Sequence, residues 1–394
     1  VTHPEQVPSV MRRAFNEART PPTAPTFVAF SANALDHEAD VEIEPSNRGY
    51  FRTAPDSRAI EDAVRLLASA SSPVVIVGDR VGESGATAEA VRVAELLGAS
   101  VYASQYSAVN FPMSHPHFKG SVRLGFPESK ELLSSADAVL VAGRLATGYY
   151  MFSKPTLRFL GPGTQLVHVD SDPREVGKTQ PTDVGIMGDP KVALGELADA
   201  LETSMLDSAK EAAKGRSVAL AGKKQASKAA WGERVKQRWE TRPMSAERMM
   251  TEIAGSIPAG TIIADDAVTT RDALYGALEF DEPGSTFGGR GGALGWGMGG
   301  GMGVKLAHPE RPVVAIVGDG SAMMTVQGLW TAANENIPVV YIICNNASYR
   351  ILKLNMDAYR KVVHEESTPS SPTLLAEWCS ERQPVECLAA PGRG

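Results

Sequence analysis

The chain has 394 residues, 43% of them hydrophobic and 22% charged, so it is long enough for two or three globular domains with their own cores. The net charge of -7 gives no reason to expect binding to nucleic acid or to an anionic membrane surface. The three cysteines fit a reducing cytoplasm better than a disulfide scaffold, and the apolar runs are too short to span a membrane.

The first 45 residues predict too little structure for a domain. Residues 7–18 have a helical pattern, and residues 26–30 read as a strand that follows a proline-rich stretch. One helix and one strand cannot enclose a core. We therefore expect residues 1–45 to be the closing part of a domain whose earlier part precedes the chain.

Residues 46–205 alternate between helical patterns and short apolar strands. The strands predicted at 73–77, 138–142 and 165–169 are almost continuously apolar. Strands of this kind with helices between them are typical of a parallel sheet that is covered on both faces. We predict an α/β domain here, doubly wound and Rossmann-like.

A second α/β unit is predicted over residues 246–366. A dense Lys, Ala and Glu stretch precedes it at 206–245 and indicates a solvated linking helix. Strands are expected at 261–264, 313–317 and 339–344, which are too few to complete a domain. The tail at 367–394 shows little periodicity and is expected to be atypical.

The strongest chemical signal is Gly318-Asp319-Gly320, at the end of the strand 313–317. Twenty-four residues separate it from Asn345-Asn346, at the end of the next strand. Parallel sheets bind ligands at this edge, and glycines let the backbone approach a phosphate closely. A carboxylate, an amide oxygen and a backbone carbonyl, together with water and phosphate oxygens, suit Mg²⁺. The alternative interpretation is two unrelated turns.

A glycine-rich run at 288–303 is the second signal. The apolar residues Leu294, Trp296, Met298 and Met302 interleave its glycines, and a helical pattern follows. Each glycine costs a helix about 1 kcal/mol relative to alanine. So many glycines suggest close packing against backbone or a cofactor, although a flexible linker remains an alternative.

These motifs resemble those of the thiamine-diphosphate (ThDP)-dependent 2-oxo-acid decarboxylases and carboligases, and most closely those of benzoylformate decarboxylase. The GDG and NN pairs match the ThDP motif, and residues 291–296 match the segment before it. Residues 329–338 and the loop at 110–120 are also similar. The resemblance implies a central Rossmann-like domain and an incomplete ThDP-binding domain.

The resemblance assigns the metal and cofactor residues. It implies that Asp319 and Asn346 bind Mg²⁺ through their side chains, and Ser348 through its carbonyl oxygen. It also implies that Leu294 lies under the cofactor and bends it into its reactive shape. The remaining implied cofactor contacts are Thr269, Thr270, Gly318, Gly320, Ser321, Ala322, Asn346, Tyr349, Arg350 and Ile351. For the two threonines, simple helix capping is an alternative role.

His115 is the candidate proton-transfer residue. The resemblance places a histidine at this position in the active site, and histidine titrates near neutral pH. A structural role in the loop remains open, and His117 is expected at the surface. Some relatives bind FAD or a nucleotide in the central domain, but the loop at 78–85 lacks the G-x-G-x-x-G spacing, so we do not expect FAD.

The implied activity is decarboxylation of a 2-oxo acid such as benzoylformate by a cytoplasmic homodimer or homotetramer. A pyrimidine-binding domain with an activating glutamate is expected to precede residue 1, so we expect this chain alone to be inactive. Three alternatives stay open: an acetolactate-synthase-like carboligase, an inactive or split fragment that needs a partner, and a nicotinamide-binding protein.

Overall fold

The computed structural model describes residues 1–43, 52–105, 108–145 and 159–366. Over these ranges the chain forms two parallel sheets flanked by helices and connected by one long helix. The predicted α/β fold with doubly wound parallel sheets is confirmed. No helix in these ranges is both long and apolar enough to cross a membrane. The predicted tail, 367–394, lies outside the described residues.

The N-terminal segment contains a short 3₁₀ helix (Pro4–Gln6) and two α-helices, α1 (Val7–Arg19) and α2 (Ala32–Asp36). Helix α1 agrees with the sequence pattern, but the strand predicted at 26–30 is wrong. This stretch joins neither sheet. The amino group of Val1 donates to the carbonyl of Ala29 at 2.8 Å, and the N–H of Ser31 donates to the carbonyl of Val1 at 2.9 Å. A strand needs a neighbouring ladder of donors and acceptors, and these two bonds to a single residue do not make one.

The first sheet has six strands in the order β3-β2-β1-β4-β5-β6, and all neighbouring strands are parallel. Its strands are β1 (Pro73–Val77), β2 (Ser100–Ser104), β3 (Phe118–Val122), β4 (Ala138–Ala142), β5 (Gln165–Asp170) and β6 (Val184–Met187). The two edge strands, β3 and β6, were not predicted. The order reverses between β1 and β4, as the doubly wound prediction requires.

Buried side chains cover both faces of the first sheet, and helices flank it. Its helices are α3 (Ser57–Ala68), α4 (Asp79–Ser84), α5 (Thr87–Leu97), α6 (Pro127–Leu132) and α7 (Pro190–Ser204). Successive residues of β1 point to opposite faces: Val75 packs in a cluster with Leu97 and Leu194, and Ile76 packs with Leu133 and Phe159. Burial on both faces explains why the central strands read as continuous apolar runs.

A buried ion-pair network lies at the carboxyl edge of the first sheet. Arg80 Nε lies 2.7 Å from a carboxylate oxygen of Asp170, and Arg80 Nη2 lies 3.5 Å from Asp172. Asp170 is fully buried, and this burial raises its pKa to about 6. Hydrogen bonds from Arg174 lower the pKa of Asp172 to about 2. A Cβ on Gly143 would lie 3.2 Å from Cβ of Arg80, so Arg80 crosses the end of β4.

The linking helix α8 (Asp207–Gln237) was predicted, and most of its residues are exposed. It nevertheless contacts both units. Lys224 Nζ donates to the carbonyl of Met113 at 2.5 Å and lies 3.2 Å from the carboxylate of Glu279. The loop before β3 and the segment before β8 are therefore fastened to the same helix.

The second sheet has four parallel strands in the order β10-β9-β7-β8. Its strands are β7 (Ile262–Asp266), β8 (Thr286–Gly288), β9 (Val313–Gly318) and β10 (Val340–Cys344). The helices are α9 (Ala246–Ser256), α10 (Arg271–Ala277), α11 (Trp296–Ala307), α12 (Asp319–Met324), α13 (Gly328–Asn334) and α14 (Arg350–Glu366). The three-residue strand β8 was not predicted.

Candidate active site

The site lies where three neighbouring strands of the second sheet end. β9 and β10 run in parallel, with Cys344 opposite Gly318. On the other side of β9, Val317 is opposite Asp266 at the end of β7. The two halves of the GDG and NN motif therefore leave the sheet side by side, as the sequence predicts.

The asparagine pair forms a tight turn. Asn345 Oδ1 accepts from the N–H of Ala347 at 2.8 Å, and Asn346 Oδ1 accepts from the N–H of Ser348 at 2.9 Å. Ala347 has a φ of 49°, which is uncommon for a residue other than glycine. The amide oxygen of Asn346 keeps a second lone pair, which is available to a cation.

Thr269 belongs to the same site. The Asn346 Nδ2 group donates to Thr269 Oγ1 at 3.4 Å, which joins the turn after β7 to the turn after β10. Thr270 lies close enough to Cys344 for a side-chain hydrogen bond. Both threonines thus lie at the carboxyl edge where the sequence placed them.

The donors at this edge fit a magnesium ion and a diphosphate. Asp319 is a partly buried carboxylate, and the nearby amide and carbonyl oxygens are hard ligands of the kind that Mg²⁺ prefers. A Cβ at Gly320 would meet nothing within 4 Å, so open space lies beside the backbone of the GDG turn. Ser321 and Ala322 are buried beneath that turn.

Acidic groups make this edge of the sheet electronegative. Burial raises the pKa of the Cys344 thiol, and the carboxylates of Asp265 and Asp319 act in the same direction. Burial also raises the pKa of Asp265, although its ion pair with Arg271 opposes the change. A divalent cation beside Asp319 would offset this accumulated negative charge.

Asp265 fixes the turn that carries the threonines. Its Oδ1 accepts from the N–H of Ala267 at 3.0 Å, and its Oδ2 lies 2.8 Å from Arg271 Nε. The carboxylate therefore holds both ends of the segment that contains Thr269. Tyr275 packs beside this network, and burial raises its pKa to about 12.

Asp266 fixes the turn that carries Leu294. Its Oδ2 accepts from the N–H groups of Gly295 and Gly297, each at 3.0 Å. Gly295 has a φ of 89°, and the hydroxyl of Thr325 donates to its carbonyl at 2.7 Å. The glycine-rich run from Trp296 onward is the helix α11, so the flexible-linker interpretation is wrong.

The contacts of His115 that the structure shows are with residues other than these. Its Nε2 lies 3.3 Å from a carboxylate oxygen of Glu95 on α5, and its ring packs edge-on against Phe111. Its catalytic role stays a prediction. His117, expected at the surface, is 3% exposed, so that expectation is wrong. The loop turns inward there because it leads into β3, whose first residue, Phe118, is buried.

The His115 loop is attached to the second unit on its other side. Ser114 donates to the carboxylate of Asp281 from its N–H at 2.8 Å and from its hydroxyl at 2.7 Å. Arg290, in the segment before Leu294, forms an ion pair with Asp79 at the start of α4. The two units thus meet through polar contacts near both loops.

Sequence reasoning assigned no role to Asp265 and Asp266, whose carboxylates fix the turns around Thr269 and Leu294. Two adjacent carboxylates at the end of an apolar strand were a usable signal. Their roles depend on partners elsewhere in the chain, however, and the local pattern does not reveal the bonds from Asp266 to Gly295 and Gly297.

Two family profiles match the chain. The thiamine pyrophosphate enzyme central domain matches residues 60–197, and the C-terminal thiamine pyrophosphate binding domain matches residues 269–380. The fold, the site and these matches agree. The chain belongs to the thiamine pyrophosphate (ThDP) enzymes, in the group that includes decarboxylases and acetolactate synthases.

Several curated relatives are 27–28% identical to the chain over the aligned residues. A benzoylformate decarboxylase of Pseudomonas aeruginosa is 28% identical, covering 89% of this chain and 62% of the relative. A sulfoacetaldehyde acetyltransferase of Castellaniella defragrans is 27% identical, covering 92% and 62%. A probable acetolactate synthase large subunit of Methanocaldococcus jannaschii is 28% identical, covering 88% and 59%. The chain therefore spans less than two thirds of the length of these relatives.

Solved structures share the fold. A benzoylformate decarboxylase from Polynucleobacter necessarius matches with a TM-score of 0.73 and 22% identity, covering 95% of this chain and 66% of that one. A putative thiamin diphosphate-dependent enzyme from Mycobacterium smegmatis matches with a TM-score of 0.72 and 24% identity, covering 89% and 64%. At these identities the likeness supports the fold alone.

Proposed function

We propose that the chain binds ThDP through Mg²⁺ at the carboxyl edge of the second sheet, and that the whole protein decarboxylates a 2-oxo acid similar to benzoylformate. The observation that carries the proposal is the juxtaposition of Asp319 and the Asn345-Asn346 turn at the ends of paired strands. Residues 246–366 would be the diphosphate-binding domain, and residues 46–205 the central domain.

In this proposal Asp319, Asn346 and Ser348 hold the metal. The carboxylate supplies the negative charge, the amide oxygen of Asn346 supplies its free lone pair, and Ser348 supplies its carbonyl oxygen. That carbonyl already accepts from the N–H of Arg350 at 2.7 Å, which fixes its direction. The segment from Tyr349 to Ile351, at the start of α14, would then contact the diphosphate.

The remaining contacts fix the diphosphate and the ring. Gly320 leaves open space for the diphosphate, and the backbone from Gly318 to Ala322 borders that space. Thr269 and Thr270 approach from the turn after β7, and Leu294 supports the ring from the turn before α11. When bound, ThDP supplies an electron sink for the carbon that loses carbon dioxide. His115 would move a proton at Nε2, the atom now paired with Glu95.

An acetolactate-synthase-like carboligase is the second candidate. A probable acetolactate synthase aligns with 88% of this chain at 28% identity, and a benzoylformate decarboxylase aligns with 89% at the same identity. The two reactions differ in whether the product is an aldehyde or a hydroxyketone. A panel of benzoylformate, pyruvate and oxalyl-CoA, with product analysis, separates them. In either case we propose a homodimer or homotetramer, which light scattering would test.

The experiment for cofactor binding is a titration of the chain with ThDP in the presence and absence of Mg²⁺. We expect binding that requires Mg²⁺ and that falls roughly 100-fold in Asp319→Ala, because a charged ligand of the metal is lost. Asp207→Asn, at the exposed start of α8, removes the same charge far along the chain and should leave the affinity unchanged. Binding that survives Asp319→Ala would overturn the assignment.

A further inference from the structure

We propose that Asp266 is a positioning residue that holds Leu294 in place beneath the cofactor; this inference rests on the proposed function. Asp266 is only 4% exposed, and one of its carboxylate oxygens accepts from two backbone N–H groups that flank Trp296. Hydrogen bonds from backbone N–H to a carboxylate are stronger than neutral ones. The carboxylate thus closes the turn on which Leu294 lies.

Both positions bonded to Asp266 lack room for a larger residue than glycine. A Cβ at Gly297 would lie 2.7 Å from Cβ of Asp266, so only glycine lets the carboxylate approach. A Cβ at Gly295 would lie 2.8 Å from Cβ of Met324, at the end of α12. Two hydrogen bonds also hold Gly295: its N–H donates to Asp266, and its carbonyl accepts from the hydroxyl of Thr325.

The hydrogen bonds to Gly295 determine the position of Leu294. Leu294 is joined directly to Gly295, so the backbone direction of Gly295 sets where the leucine side chain can lie. Asp266 ends β7 beside β9, and β9 leads into Asp319. One sheet edge therefore fixes both the diphosphate side and the ring side of the proposed site.

The adjacent carboxylate, that of Asp265, holds a different turn. Asp265 bonds to Ala267 and Arg271 and so fixes the turn that contains Thr269. Asp266 bonds to the glycine turn instead. Because the two carboxylates hold different turns, we expect loss of Asp266 to affect binding of the ring more than binding of the diphosphate.

The test compares two ligands, ThDP and inorganic pyrophosphate, each with Mg²⁺. Asp266→Ala should lower the affinity for ThDP about tenfold, because two charge-assisted hydrogen bonds are lost, and should leave pyrophosphate within about twofold. Asp266→Asn keeps an acceptor oxygen and should give a smaller loss. Asp319→Ala should weaken both ligands, which keeps failure of the proposed function distinguishable from failure of this inference.

A double-mutant cycle identifies the route of the effect. Leu294→Ala should reproduce the selective loss of ThDP affinity, and the variant with both changes should be no weaker than the worse single variant, because Asp266 acts through Leu294. Additive losses, or equal losses for ThDP and pyrophosphate, would overturn the inference.

Hydrogen exchange supplies a readout that needs no cofactor. In the chain without ligand, Asp266→Ala should speed exchange at the amides of Gly295 and Gly297 by at least about tenfold and leave β9 unchanged. Unchanged exchange at both glycines would show that the hydrogen bonds to Asp266 do not hold this turn. Faster exchange throughout β9 would indicate general unfolding and would also contradict a local positioning role. If the wild-type chain bound neither ligand, the proposed function would fail, whereas exchange would still decide whether Asp266 holds the turn.

Discussion

Gly318 and Cys344 lie opposite each other at the ends of β9 and β10, so that the next residues, Asp319 and Asn345, leave the sheet at the same edge. This register brings a carboxylate and an amide turn together from positions far apart in the chain. Parallel strands have this property generally, because all their carboxyl ends lie at one edge. The proposed metal site depends on this pairing.

A glycine pair in the segment around α11 tests the packing of the Leu294 turn. Gly295→Ala should destabilise the protein by about 1–3 kcal/mol, because φ is 89° and the new Cβ would approach Met324 Cβ. Gly299→Ala is the matched control: its Cβ would meet nothing within 4 Å, and alanine in a helix interior stabilises by about 0.5–1 kcal/mol. Urea unfolding curves would show opposite shifts, and equal shifts would contradict the account.

Thr269 tests the link between the two turns of the site. Thr269→Val removes the hydroxyl that accepts from Asn346 Nδ2, and we expect about tenfold weaker binding of both ThDP and pyrophosphate with Mg²⁺. Thr269→Ser keeps the hydroxyl and should restore most of the affinity. If valine were as good as serine in a calorimetric titration, the Thr269 hydroxyl would contribute nothing to binding, and the proposed link between the two turns would be contradicted.

Asp170 predicts a pH dependence of stability in the first unit. Its pKa is about 6 in the folded chain, against an ordinary value of 3.8, because the carboxyl is buried. Between these values the folded state binds more protons than the unfolded state, so stability falls as the pH rises. The difference of about two units corresponds to roughly 3 kcal/mol, and the loss is complete above about pH 6.

Asp170→Asn should remove that slope in urea unfolding followed by circular dichroism between about pH 4 and 7. Asp199→Asn, which removes an exposed carboxylate on α7, is the control and should leave the slope in place. A slope that persists in Asp170→Asn would show that another group causes it.

The sequence pattern predicted the parts of the fold that are buried on both faces. Strands β1, β4 and β9 are continuous apolar runs, and their ends were found within one residue. The edge strand β3, which contains Lys119, Gly120 and Ser121, has no such pattern. Edge strands of this kind form because a neighbour offers a ladder of partners, and single-residue preferences do not reveal them.

The placement of the two motifs at one edge of the sheet followed from the sequence for a similar reason. The GDG and NN pairs lie at strand ends, where topology alone brings them together. The burial of His117 and the bonds of Asp266 arise from tertiary packing between segments far apart in the chain. A local pattern of polar residues predicts exposure in such cases, because it contains no record of the partner.

The most direct test of the proposed site is a crystal structure of the chain with ThDP and Mn²⁺, which replaces Mg²⁺ and gives an anomalous signal. We predict one Mn²⁺ bound by Asp319, by Oδ1 of Asn346 and by the carbonyl of Ser348, at distances of about 2.0–2.2 Å, with the diphosphate beside Gly320. An ion and cofactor bound elsewhere, such as at the carboxyl edge of the first sheet, would contradict the account.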